Sequence, residues 1–122
     1  TGTPWLNVNP NYTSVNVAAQ DDDPNSVLNY FRKLIGLRKN DLALVYGKYE
    51  LVDENNPDVY AYSRTLDGDK LIILLNFKNK MSSFKINDDL NGAIILANNY
   101  PVPHSGSLLR PYEAVVYKLT AE

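Results

Sequence analysis

The chain has 122 residues, a formal net charge of -2 and an isoelectric point near 5.3, and its twelve Lys and Arg residues are scattered. That length suits one domain able to bury about two thirds of its unfolded surface, and no basic stripe is present of the kind that neutralises phosphates, so nucleic acid is not an expected partner. There is no Cys, hence no disulfide framework and no thiolate metal site, and the longest apolar run, Leu71 to Leu75, is far short of the roughly 20 residues that cross a bilayer, so no membrane partner is expected either.

The first element is Thr1 to Asp22, rich in Asn, Pro, Thr and Asp and without sustained periodicity; it reads as a long loop. Loops above about 12 to 15 residues are uncommon inside compact domains. With Thr1 at the start and Met81 the only Met, the chain reads as a processed or excised piece of a longer protein.

A helix follows from Pro24 to Asn40. Val27, Leu28, Tyr30, Phe31, Leu34, Ile35 and Leu37 recur at spacings of three and four. At about 100° per residue they sweep an arc of roughly 180°, where a surface helix on one core needs little more than about 100°, so two neighbours are expected. Asp23 is the expected N-cap with Pro24 at the first helical position, and Arg38, Lys39 and Asn40 suit the C-terminal end. Arg38 interrupts the apolar arc; its stem packs while its head reaches carbonyls or solvent, or it clamps the helix to the following sheet through Asp41 or Glu113.

Beyond the helix the pattern is all β. Ala43 to Val52 is the first strand expected, closed by the turn-forming run Asp53 to Asp58. Val59 to Leu66 and Lys70 to Phe77 are expected to pair antiparallel around Asp67-Gly68. Leu71 to Leu75 does not alternate, as in a central strand covered on both faces. Shorter strands are expected at Ser82 to Ile86, Ala93 to Ala97 and Tyr112 to Leu119. The fold class is therefore mainly β: an antiparallel β-sandwich preceded by one amphipathic helix and a long N-terminal loop.

No residue carries a catalytic signature. His104, the only histidine, sits in a Pro- and Gly-rich loop beside Ser105 and Ser107, without the nucleophile elbow a Ser-His-Asp triad needs, and reads as a surface histidine. Asp21-Asp22-Asp23, Asp53 to Asp58 and Asp67-Gly68-Asp69 lack calcium-loop spacing and read as turns, so no metal or cofactor is expected. Asn11-Tyr12-Thr13 fits the N-glycosylation triplet, which is short enough to arise by chance. Of the nine Tyr, Tyr46, Tyr49, Tyr60, Tyr62, Tyr112 and Tyr117 fall on expected strands and read as sheet packing rather than a sugar platform; Trp5 and Tyr12, in the opening loop, are better placed for contact with a ligand.

Four stretches carry a family resemblance: Gly2 to Tyr12 (GTPWLNVNPNY), Ser26 to Lys39, Leu44 to Tyr49 (LVYGKY) and Leu109 to Leu119 (LRPYEAVVYKL). In that order they resemble the C-terminal end of oligo-1,6-glucosidases, relatives of the α-glucosidases, dextran glucosidases, trehalose-6-phosphate hydrolases and sucrose isomerases in the α-amylase superfamily, glycoside hydrolase family 13. From Asn79 to Leu108 the likeness is loose. The resemblance implies that residues 1–40 are the tail of a (β/α)₈ catalytic barrel, a loop plus the eighth helix, and that residues 41–122 form a Greek-key C-terminal β-sandwich. It implies a parent that cleaves short α-glucosides with retention, using two carboxyl groups about 5 to 5.5 Å apart on earlier barrel strands. No residue of this chain inherits a catalytic role. Trp5 is the one candidate substrate contact, the barrel of the parent chain is the expected partner, and the cytoplasm is the expected compartment. A carbohydrate-binding module and a dimerisation module are the alternatives.

Overall fold

The computed structural model describes residues 2–3 and 5–119. Its contacts group the chain into two compact units, 1–36 and 37–122.

In the first unit the expected long loop is partly helical. Pro10–Thr13 forms a 3₁₀ turn capped by the Asn9 side chain, and α1 spans Val17–Asp22, its N-terminus capped by Asn16 Oδ1, which accepts from the Ala19 N–H at 2.9 Å. Asparagines read as loop formers in the sequence act here as caps, satisfying the donors that a helix start leaves open.

The long helix, α2, spans Val27–Asn40. It begins three residues later than Pro24, because Ser26 rather than Asp23 is its cap: Ser26 Oγ accepts from the Asn29 N–H at 3.1 Å. Asp23 Oδ1 instead accepts from the Asn25 N–H and closes the turn ahead of the helix. The two helices cap each other. Gln20 Oε1 accepts from the Leu28 N–H, while the Asn29 amide donates to the carbonyls of Gln20, Asp21 and Asp23, and Ser26 Oγ donates to the Gln20 carbonyl at 2.7 Å. Arg32 pairs with Asp21 across the same junction.

In the second unit the chain does not run from α2 into a strand. Ala43–Tyr46 forms a short helix, α3, and the first strand, β1, is only Lys48–Leu51. The local apolar run favours a strand; tertiary bonds override it. Asp41 Oδ1 accepts from the Ala43 N–H, Arg38 Nη1 donates to the Leu44 carbonyl at 2.9 Å, and Arg64 donates to the carbonyls of Ala43, Leu44 and Val45. Gly47 ends the turn, and a Cβ there would run into the Ala43 carbonyl.

The remaining strands are β2 (Val59–Leu66), β3 (Asp69–Asn76), β4 (Ser82–Ser83), β5 (Ile94–Asn98), β6 (Leu108–Leu109) and β7 (Ala114–Leu119). Five of them make an antiparallel sheet in the order β1-β2-β3-β7-β5, and β4 pairs with β6 in a two-stranded ribbon. The mainly-β antiparallel fold with a helix ahead of it is thus as expected, while β4 is shorter than Ser82 to Ile86 and β6 carried no strand signal. The β2–β3 hairpin turns on Asp67-Gly68, both at positive φ (50° and 91°), the geometry of a two-residue primed turn.

As the central strand, β3 is covered on both faces. Ile72 and Leu74 join Val59, Ala61, Phe84, Leu109 and Val115 beneath the ribbon, while Leu71 and Ile73 pack with Ala43 of α3. Gly68→Ala puts no atom within 4 Å of a neighbour, so its cost is backbone strain alone, about 1 to 2 kcal/mol. Gly47→Ala adds a steric clash to an ordered turn and is expected to cost about 1 to 3 kcal/mol; urea denaturation of both variants checks the pair.

Candidate functional site

The most constrained polar group of the chain is Glu113, fully buried at the entry to β7. Arg110 grips it bidentately, Nε to Oε2 at 2.9 Å and Nη2 to Oε1 at 2.5 Å, and the Arg110 backbone N–H adds a third bond to Oε2 at 2.9 Å. Asn98 of β5 donates to Oε1 at 3.2 Å. The guanidinium also donates to the Val102 carbonyl and lies 4.0 Å over the Tyr100 ring. Burial pushes the Glu113 carboxyl up, but the bonds from Arg110 and Asn98 outweigh it and hold the carboxyl below its ordinary value. A carboxylate with its lone pairs so occupied is a structural tie, not an acid or nucleophile. Of the two readings of Arg38, the head reaching a carbonyl is the one observed, at Leu44, and the clamp to Asp41 or Glu113 does not form: Glu113 belongs to Arg110, and Asp41 to Lys118 at 3.2 Å. Arg64, which the sequence did not single out, joins Arg38 on the carbonyls of α3; its place on β2, directly across from Tyr49 of β1, brings it under that helix.

The reading of His104 as a surface residue is also corrected. Its Nε2 lies 2.7 Å from the Tyr117 hydroxyl, and its ring stands edge-on to Phe84 and Tyr117 at 5.5 and 5.9 Å. Tyr117, not Ser105 or Ser107, thus holds the imidazole, and no Ser-His pair forms. The ring lines a cleft of about 340 Å³ with Asp88, Asp89 and Asn91.

The acidic runs resolve into separate ion pairs and turns. Asp58 pairs with Lys80, Asp69 with Lys118, and Asp53 accepts from the Asn56 amide and the Lys85 N–H. Among the described residues no group of three His, Cys, Asp or Glu side chains could hold a metal ion, and no helix is long and apolar enough to cross a membrane. Asn11 to Thr13 lies in the 3₁₀ turn.

Trp5 stands 93% exposed in a bend, with Tyr12 also exposed. On α2, Val27 (81% exposed), Phe31 (60%) and Ile35 (40%) recur every fourth residue, an apolar stripe open to solvent. In the second unit Tyr49, Leu51 and Tyr60 stand exposed on the sheet face that α3 covers only in part. The Tyr49 and Tyr60 hydroxyls meet at 2.6 Å, a bond that, with burial, pushes the Tyr49 hydroxyl up to about 12. Tyr46 and Tyr112 are not on strands as expected: Tyr46 lies on α3, and Tyr112 occupies a turn with φ of 55°.

The sequence model described as alpha amylase, catalytic domain matches residues 1–47. The chain is 45% identical over 124 positions to an oligo-1,6-glucosidase of Parageobacillus thermoglucosidasius, an alignment covering 97% of this chain and 22% of the relative. It is 35% identical to a trehalose-6-phosphate hydrolase of Bacillus subtilis, covering 98% and 22%. The crystal structure of trehalulose synthase from Pseudomonas mesoacidophila MX-45 superposes with a TM-score of 0.84 at 38% identity, over 97% of this chain and 22% of that one. The chain thus spans about a fifth of the length of the relatives it matches.

Because the Glu113 carboxyl is held low in the fold, its contribution is complete above the unfolded value near about pH 4.3 and lost as pH falls through the lower folded value. Glu113→Gln is expected to lower stability at neutral pH and to flatten the acid limb, as read from urea midpoints between about pH 7 and about pH 3.

Proposed function

We propose that the chain, which matches oligo-1,6-glucosidases and the alpha-amylase catalytic-domain model, is the structural C-terminal part of a retaining α-glucosidase of the α-amylase superfamily acting on short α-glucosides. Residues 1–40 are the end of the (β/α)₈ barrel, loop plus eighth helix, and residues 41–122 are the C-terminal β-domain. The observation that carries this reading is the coverage: nearly all of the chain aligns, yet it accounts for only 22% of each relative. The match of a catalytic-domain model to residues 1–47 supports a barrel origin for the N-terminal part.

The physical role follows from surfaces left open. Burying a large apolar side chain contributes about 1.5 to 3 kcal/mol, and the Val27, Phe31 and Ile35 stripe obtains little of that within this chain. The parent's barrel is the partner that covers it. In the second unit, exposed Tyr49, Leu51 and Tyr60 form a second apolar face suited to the same kind of cover. Chemistry is the parent's: a carboxylate nucleophile and a carboxylic acid on earlier barrel strands, with Trp5 in the loop on the active-site side as a substrate contact. The cytoplasm is the proposed compartment.

Two measurements test the reading. The 122-residue chain alone is expected to release no glucose from isomaltose, whereas the parent polypeptide, read from the gene upstream of Thr1, is expected to carry the barrel and release α-glucose first. Hydrolysis by the chain alone, or an upstream sequence without paired barrel carboxylates, overturns it. In the parent, Phe31→Asp is expected to lower thermal stability by several degrees, equivalent to about 1 to 3 kcal/mol.

A further inference from the structure

The cleft beside His104 is left unused by a purely structural role. Phe84, Ile86 and Leu90 provide apolar lining, and Asp88, Asp89 and Asn91 provide polar groups. Its volume of about 340 Å³ lies at the lower end of small-molecule sites, which start near about 300 Å³ and combine apolar walls with a few convergent polar groups.

The charges select the ligand. Two carboxylates disfavour an anion such as a phosphate or a carboxylate. Asp88 is paired with Lys70, whose Nζ lies 2.5 Å away, which leaves Asp89 as the carboxylate of the cleft available to accept from a ligand. Asp89 Oδ1 accepts from the Asn91 N–H at 2.8 Å, while the second Asp89 oxygen and the Asn91 amide have no bond to another group among the described residues. On the wall, His104 Nε2 is taken by Tyr117, and buried Nδ1 has no partner. What fits is small, not anionic, apolar on one side and able to offer hydroxyls to Asp89 and Asn91 on the other.

We propose that this cleft binds one neutral pyranose unit, its apolar side toward Phe84 and Leu90 and its hydroxyls on Asp89 and Asn91. The choice of a glucosyl unit rests on the glucosidase reading; the cleft and its charge selection do not. Such a site holds an α-glucoside on the β-domain itself, apart from any catalytic step.

Methyl α-D-glucopyranoside titrated into the 122-residue chain, followed by amide chemical shifts, tests this directly. The expected result is saturable binding in the millimolar range, about -4 kcal/mol, with shifts clustered at residues 84–91 and 104–107. The Asp89→Ala, Asn91→Ala double variant is expected to bind roughly tenfold more weakly with the rest of its spectrum unchanged. Should the double variant unfold, Asn91→Ala alone, in an exposed turn, makes the same comparison. Absence of saturable shifts, shifts centred elsewhere, an unaltered variant, or equal shifts with sorbitol or with a protonated amine overturns the proposal. Because the parent's gene and glucose release judge the glucosidase reading separately, either can fail without the other.

Discussion

A carboxylate fully removed from water is the constraint around which the β-domain is arranged. Glu113 cannot be left without partners there, since an unpaired buried charge costs several kcal/mol. Its partners come from Arg110 just before it and from Asn98 on the neighbouring strand. Arg110, so held, reaches out to Val102 and over Tyr100, which fixes the loop between β5 and β6. Asn76 closes the other side, donating to the Arg110 and Lys80 carbonyls at 2.8 Å, so that the end of β3 and the turn beyond it are tied to the same point. A hydrophobic replacement of the pair could match its stability; it would not reproduce these directional bonds, which set where β7 enters the sheet.

Much of the architecture was legible, because it rests on signals local to a few residues. Asp67-Gly68 announces its hairpin through a backbone geometry few other dipeptides tolerate, and the unbroken run from Leu71 to Leu75 announces a strand with a core on either side. The misreadings occur where distant residues decide. Ala43 to Tyr46 has strand-like composition, yet two guanidinium groups, one of them 20 residues away, hold its carbonyls in a helical turn. Nearer in the chain, Ser26 displaces Asp23 as a cap because it bonds both the Asn29 N–H and the Gln20 carbonyl of the preceding helix, a pairing that composition does not announce. His104 looked like a loop residue because Pro and Gly surround it; Phe84 and Tyr117, far along the chain, draw it inward.

Asp41, Asp58, Asp69, Asp88 and Glu113 are each committed to a Lys or Arg. Among the chain's exposed apolar residues are a helix stripe, Val27, Phe31 and Ile35, and a sheet face, Tyr49, Leu51 and Tyr60. The chain is equivalent to about a fifth of the relatives it matches.

The strand order has a consequence for how the fold is reached. β7, the last strand in the sequence, lies between β3 and β5. During synthesis β1, β2 and β3 can assemble as consecutive hairpin-like neighbours, but β5 emerges with no strand to pair with and leaves Leu96 and Ala97 uncovered until β7 leaves the ribosome. Completion of the sheet is therefore a late, long-range event, slow by the measure of sequence separation, and the Glu113 tie that secures it can form only at that step.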